Sequence, residues 1–104
     1  MQHNMKEMIR QAQMLQNKMT KMQEELSHRT IEASVGGGMV KAVANGKHEL
    51  VSITIEKEAV NPDDVEMLQD MVVAAVNEAL SRSKQMLEQE MSKITGGMKI
   101  PGLM

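Results

Sequence analysis

Residues 61–95 read NPDDVEMLQDMVVAAVNEALSRSKQMLEQEMSKIT, and the length of helix they encode decides the fold. Asn61 can cap a helix, Pro62 carries the φ of a first helical position, and Asp63 and Asp64 put carboxylates at the positive end of the dipole. Val65, Leu68, Val72, Ala75, Val76, Ala79, Leu80, Leu87, Met91 and Ile94 then recur on one broad side, with no Gly or Pro before Gly96-Gly97. A helix over 62–95 is about 50 Å long at 1.5 Å per residue. A compact domain of roughly 100 residues has a radius of gyration near 13 Å and cannot enclose such a rod. The outer half must therefore project from the body or run along a partner chain. The apolar stripe thins at Arg82, Ser83, Lys84 and Gln85 and resumes at Met86 and Leu87, the pattern of a projecting segment with a buried base. The alternative is a helix broken near Ser81 to Ser83 and folded back on the sheet.

Upstream, Met5, Met8, Ala12, Leu15, Met19, Met22 and Leu26 alternate in steps of three and four, a heptad seam that Ile9 and Met14 broaden. Asn4 followed by Glu7 fits a capping box, so the spacing predicts a helix over 4–27, about 35 Å long. Between the helices the pattern changes to short alternations: Ile31, Ala33 and Val35; Val40, Ala42 and Ala44; Val51, Ile53 and Ile55. These predict strands at about 29–35, 39–44 and 49–56 in an antiparallel meander, one face covered by helix and the other wet. Gly36, Gly37 and Gly38 read as a flexible hairpin or bulge, and Asn45-Gly46 as a type I′ turn with positive φ at both centres. Residues 96–104 read as a mobile tail. The expected class is α+β, in the order helix, three-stranded antiparallel sheet, long helix, within a single domain.

With 104 residues such a domain buries roughly 60 to 68% of its unfolded surface, which makes self-association a ready source of extra burial. The absence of Cys excludes disulfides and thiol chemistry, and His3, His28 and His48 lack ligand spacing, so no metal is expected. Methionine is abundant, 13 residues, and such unbranched side chains fill irregular cores and seams. Convergence of Met5, Met8, Met19 and Met22 on a soft ion is the alternative, but the heptad already accounts for their spacing. No apolar run approaches the roughly 18 residues of a membrane helix, and the N-terminal segment lacks a signal-peptide core, so a cytoplasmic protein is expected. No nucleophile motif is present, Gly36 to Gly38 lacks a phosphate-loop context, and Glu56 and Glu58 read as a solvated strand end pointing to one side. His48 reads as a wet side chain at a hairpin tip. Neither an enzyme, a cofactor nor a small-molecule substrate is expected.

Net charge is −2, distributed as +2 over residues 1–30, −1 over 31–60 and −3 over 61–104. This asymmetry leaves a mildly basic first helix but no aromatic platform or recognition motif, so composition does not select nucleic acid. Order and spacing add more. Gln11-Ala12-Gln13, Gly36-Gly37-Gly38-Met39-Val40-Lys41, Asn45-Gly46, Ile53-Thr54-Ile55, Glu66 to Asp70, Ala74-Ala75-Val76-Asn77-Glu78-Ala79 and Pro101-Gly102-Leu103 together resemble the YbaB/EbfC family of bacterial nucleoid-associated proteins. The resemblance spans nearly the whole chain.

It implies a homodimer whose sheets join across a two-fold axis and whose helices project as arms that grip duplex DNA. It also implies roles in nucleoid organisation and gene expression, and no catalytic site. Asn77 is then expected at the dimer seam, and Val76 stands where many members carry an aromatic residue. Phosphate contacts would come from Lys6, Arg10, Lys18 and Lys21 on the first helix and from Arg82, Lys84, Lys93 and Lys99 toward the outer second helix and tail. Each of these has an ordinary alternative as a solvated cation or in a helical pair, such as Glu78 with Arg82 or Lys84 with Glu88. Dimer or core packing falls to Met19, Met22, Leu26, Val51, Ile53, Ile55, Leu68, Val72, Ala75, Val76 and Ala79. The competing functional reading is a homo-oligomeric adaptor that binds another protein through the Met-rich helices.

Overall fold

The computed structural model describes residues 2–95; the expected tail 96–104, Lys99 included, lies outside them. Helix α1 (Gln2–His28) leads into strands β1 (Thr30–Val35), β2 (Val40–Asn45) and β3 (Leu50–Ile55), a 3-10 turn (Lys57–Ala59) and helix α2 (Val65–Thr95). The strands form one antiparallel meander in the order β1-β2-β3. The molecule measures 74 × 25 × 16 Å with a radius of gyration of 20.0 Å, far above the roughly 13 Å of a compact chain this long. Helix α2 is unbroken through Ser81 to Ser83, so the projecting alternative holds and the folded-back one does not.

The start of α2 differs from the expectation. Asn61 Oδ1 accepts the Asp63 N–H at 3.0 Å in a local turn, and Asp64 Oδ1 accepts the Met67 N–H at 3.2 Å as the true cap. Asn61 spends its side chain on the turn, which moves the helix start from Pro62 to Val65. Glu58 lies in the 3-10 turn and not on β3, so Glu56 and Glu58 are not a same-side strand pair.

The core is made of small residues. Ala75 and Ala79 of α2 meet Ala33 of β1 and Val40, Ala42 and Ala44 of β2, all essentially buried. Short side chains let the helix settle close to the sheet, while Leu68, Met71, Val72, Val76 and Leu80 seal its flanks. The β1–β2 loop holds Gly36, Gly37 and Gly38 at φ 63, 68 and 93°, three consecutive left-handed positions that glycine, with no Cβ, adopts at least steric cost.

Helix α2 crosses β1 and β2 and leaves β3 uncovered. Ile53 pairs with Ala42 and Ile55 with Val40, which puts both on the core side of the sheet, yet each is 39% exposed and Val51 is 55% exposed. Within one chain these three residues are thus outside the core.

The β2–β3 loop also departs from the sequence reading. His48 N–H donates to Asn45 O at 3.2 Å and Asn45 N–H to Glu49 O at 2.9 Å, and the left-handed residue is His48 at φ 65°, not Gly46. This is a three-residue loop, a turn closed by one left-handed position, in place of the expected type I′ turn. Asn45 Oδ1 braces it by accepting the N–H groups of Lys47 and Glu49. Gly46 serves close approach instead: its N–H donates to Leu26 O at 2.9 Å, and a Cβ there would lie 2.5 Å from that oxygen.

Candidate nucleic-acid interface

Both helices are fastened to the β2–β3 loop. The Gly46 N–H holds the last turn of α1 through Leu26 O, and Ser83 Oγ on α2 donates to Asn45 O at 2.6 Å. Ser83 is fully buried, a point the apolar stripe alone could not reveal. From this joint α1 and α2 run outward antiparallel. Met22, Leu26 and Met86 form a buried cluster between them, flanked by Leu87, Met91 and Ile94. Arg29 adds an ion pair to Glu90 at 3.0 Å. The result is a helical arm with its own small core, separate from the alanine core under the sheet.

On α1 the cations face away from that core. At about 100° per residue, Lys6, Arg10 and Lys21 fall within roughly 60° of one another and opposite the heptad seam, with Lys18 about 60° further round. Lys6 and Lys21 are about 22 Å apart along the axis. All four are exposed and form no ion pair among the described residues. Glu7, Glu24 and Glu25 share this side and dilute its field.

The cations expected on α2 part company. Arg82 Nε pairs with Glu78 at 3.1 Å and its Nη1 donates to Glu32 O at 2.7 Å, so Arg82 ties α2 to β1. Lys93 pairs with Glu90 at 3.0 Å. Lys84 is exposed, and its alternative pairing with Glu88 is not among the ion pairs of the described residues. Lys99 lies outside the described residues. Asn77 is exposed and Val76 half-buried. Sequence reasoning missed the structural use of Arg29 and of Lys41, which pairs with Glu32 at 2.8 Å across β1 and β2.

Two side chains titrate away from their ordinary values. The hydrogen bond to Glu32, and then its charge, raise the Lys41 pKa. Hydrogen bonds from Lys93 and then Arg29 hold the Glu90 carboxyl below the usual carboxylate range.

An open groove of about 440 Å³ lies where β1 meets the start of α2, lined by Val35, Met67 and Met71 with Asp64, Glu66 and Asp70. Its carboxylates oppose phosphate, so it is no part of a nucleic-acid surface. Among the described residues no group of three or more His, Cys, Asp or Glu could hold a metal, and no helix is long and apolar enough to cross a membrane.

A small α+β body thus bears a two-helix arm, with Lys6, Arg10, Lys18 and Lys21, which form no ion pair among the described residues, spread over the arm's outer side. The sequence profile of the YbaB/EbfC DNA-binding family matches residues 1–98. A nucleoid-associated protein of Pelotomaculum thermopropionicum is 57% identical over 100 residues, covering 96% of this chain and 95% of the relative. Another from Thermoanaerobacter sp. (strain X514) is 60% identical over 100 residues, covering 96% and 90%. The crystal structure of the uncharacterized protein HP0035 from Helicobacter pylori shares the fold at a TM-score of 0.74 and 21% identity, covering 82% of this chain and 89% of that one. The chain belongs to the YbaB/EbfC DNA-binding family, and the relatives named here are nucleoid-associated proteins.

Proposed function

We propose that this protein is a homodimeric, cytoplasmic DNA-binding protein of the nucleoid that grips duplex DNA between two arms and alters its path, with effects on gene expression. The observation that carries the reading is the set of unpaired cations Lys6, Arg10, Lys18 and Lys21 on an outlying helix of a chain whose family binds DNA. Lys84 sits close to the base of the same arm, next to Ser83, and Lys99 is a further candidate contact outside the described residues. Such groups meet phosphates, which fix position on the duplex without reading bases. Because Arg82 and Lys93 are held by carboxylates, their share in binding is smaller than that of the α1 cations.

Dimerisation is supported by β3. Its outer edge is unpaired among the described residues, and Val51, Ile53 and Ile55 offer an apolar row next to the buried face of β2. Pairing of two such edges would bury that row and set the arms at a fixed separation.

A polarisation titration with duplex DNA over several salt concentrations tests the reading. Binding should weaken as salt rises, with a slope of about 0.9 in log K per log salt for each phosphate engaged. Replacing Lys6, Arg10, Lys18 and Lys21 together by Gln should flatten that slope. Salt-insensitive binding, or none at low salt, refutes the mechanism.

A further inference from the structure

The β2–β3 loop is built more tightly than a connection needs. Asn45 Oδ1 accepts the N–H groups of Lys47 and Glu49, Asn45 Nδ2 donates to Glu49 Oε1 at 3.1 Å, and Asn45 N–H donates to Glu49 O. Gly46 and Ser83 add the ties to α1 and α2. Within this frame His48 holds φ 65°, an uncommon conformation for a residue other than glycine and one that costs stability. Glycine would fill the position at less cost. Lys47 and His48 are both exposed, and neither forms an ion pair among the described residues. A braced loop thus gives up stability to present an imidazole beside an ammonium.

Its place in the fold says what those groups meet. Helix α2 crosses the sheet and passes this loop at Ser83, so the arm projects from the end of the sheet that carries Lys47 and His48. Strand β3, which the loop enters, has the edge that is unpaired among the described residues. In a dimer joined along β3, the loop of each copy therefore lies between its own arm and the second copy, at the floor of the space between the arms. We propose that Lys47 and His48 contact the phosphate backbone of duplex DNA at that floor, while Lys6, Arg10, Lys18 and Lys21 contact it from the sides. The inference rests on the dimeric DNA-binding reading above and deepens it. Ammonium and imidazole N–H groups both donate to phosphate oxygen. The loop's own carboxylate, Glu49, has Oε1 engaged by Asn45 Nδ2. Holding the two donors in place beforehand lowers the ordering cost of the contact.

Lys47→Gln and Lys57→Gln remove the same charge from exposed positions near opposite ends of β3, so polarisation titrations over salt separate them. Lys47→Gln should weaken duplex binding several-fold and lower the salt slope by about 1.8, from two copies each losing one phosphate contact at about 0.9, whereas Lys57→Gln should bind as wild type. A Lys47→Gln slope equal to that of wild type, or an equal loss with Lys57→Gln, overturns the proposal. His48→Gly should raise the melting temperature by a few degrees and still weaken binding, and an unchanged affinity overturns the part given to His48. Because the chain has no Cys, Lys47→Cys carrying a tethered iron–EDTA group should cut bound duplex, and the same group at Lys57→Cys should not. Cutting from neither position, or from both alike, also overturns it. Wild-type protein that binds without salt dependence, or not at all, removes the DNA-binding reading and this inference with it. A slope reduced by the four α1 replacements but not by Lys47→Gln leaves that reading standing and strikes this inference alone.

Discussion

Gly46 is the residue with the least room for change. Its absent side chain lets its N–H reach Leu26 O, and the Cβ of an alanine would also lie 2.6 Å from Leu26 Cβ. Gly46→Ala should therefore destabilise the protein by about 1–3 kcal/mol, as overpacking against rigid backbone does, and urea unfolding measures it. Glu90 offers a test by titration. Its folded pKa is lowered by Lys93 and Arg29, so its stabilising contribution is complete above the unfolded value near 4.3 and is lost as pH falls through the lower folded value. Glu90→Gln should accordingly be less stable than wild type at pH 7, and the gap should close as pH drops below about 4, as read from thermal melts across pH.

Among the elements, β3 is the one left incomplete by its own chain. If β3 edges pair as proposed, Ile53→Lys on its exposed apolar row should leave the monomer folded, since α2 packs on β1 and β2, and light scattering should then read one chain where the unsubstituted protein reads two. Most of the element order was legible in the sequence because alternation at Ile31, Ala33 and Val35 and the seam from Met5 to Leu26 follow backbone periods directly. The exceptions were competitions that tertiary contacts settle. Asn45-Gly46 suits more than one hairpin turn, and docking of the α1 C-terminus on Gly46 selects the three-residue form. Asn61 and Asp64 are both good caps, and the local turn at Asp63 decides between them. Ser83 looked like a gap in an apolar stripe because its partner, Asn45 O, is 38 residues away. The cations of the candidate interface were legible as residues. Their availability was not, since Arg82 is occupied by a carbonyl 50 residues distant.

At the scale of the whole molecule, two small cores do different work: the alanine core fixes α2 to the sheet, and the Met22, Leu26 and Met86 cluster holds α1 against α2 in the arm. The net charge of −2 means that attraction to DNA must come from where charge sits, so binding should be more sensitive to salt than to the chain's overall charge. Adding two acidic residues on the sheet side should leave the salt slope unchanged, whereas the four α1 replacements should reduce it. Finally, the Asn45–Glu49 loop is the point at which both helices of the arm are fastened to the sheet. Rotation of about 5° there would swing the end of an arm about 36 Å long by roughly 3 Å, close to the axial rise per phosphate on one DNA strand. In the proposed DNA complex, a slight rearrangement at the joint held by Gly46 and Ser83 would therefore be read as a displacement of contacts at the far tip.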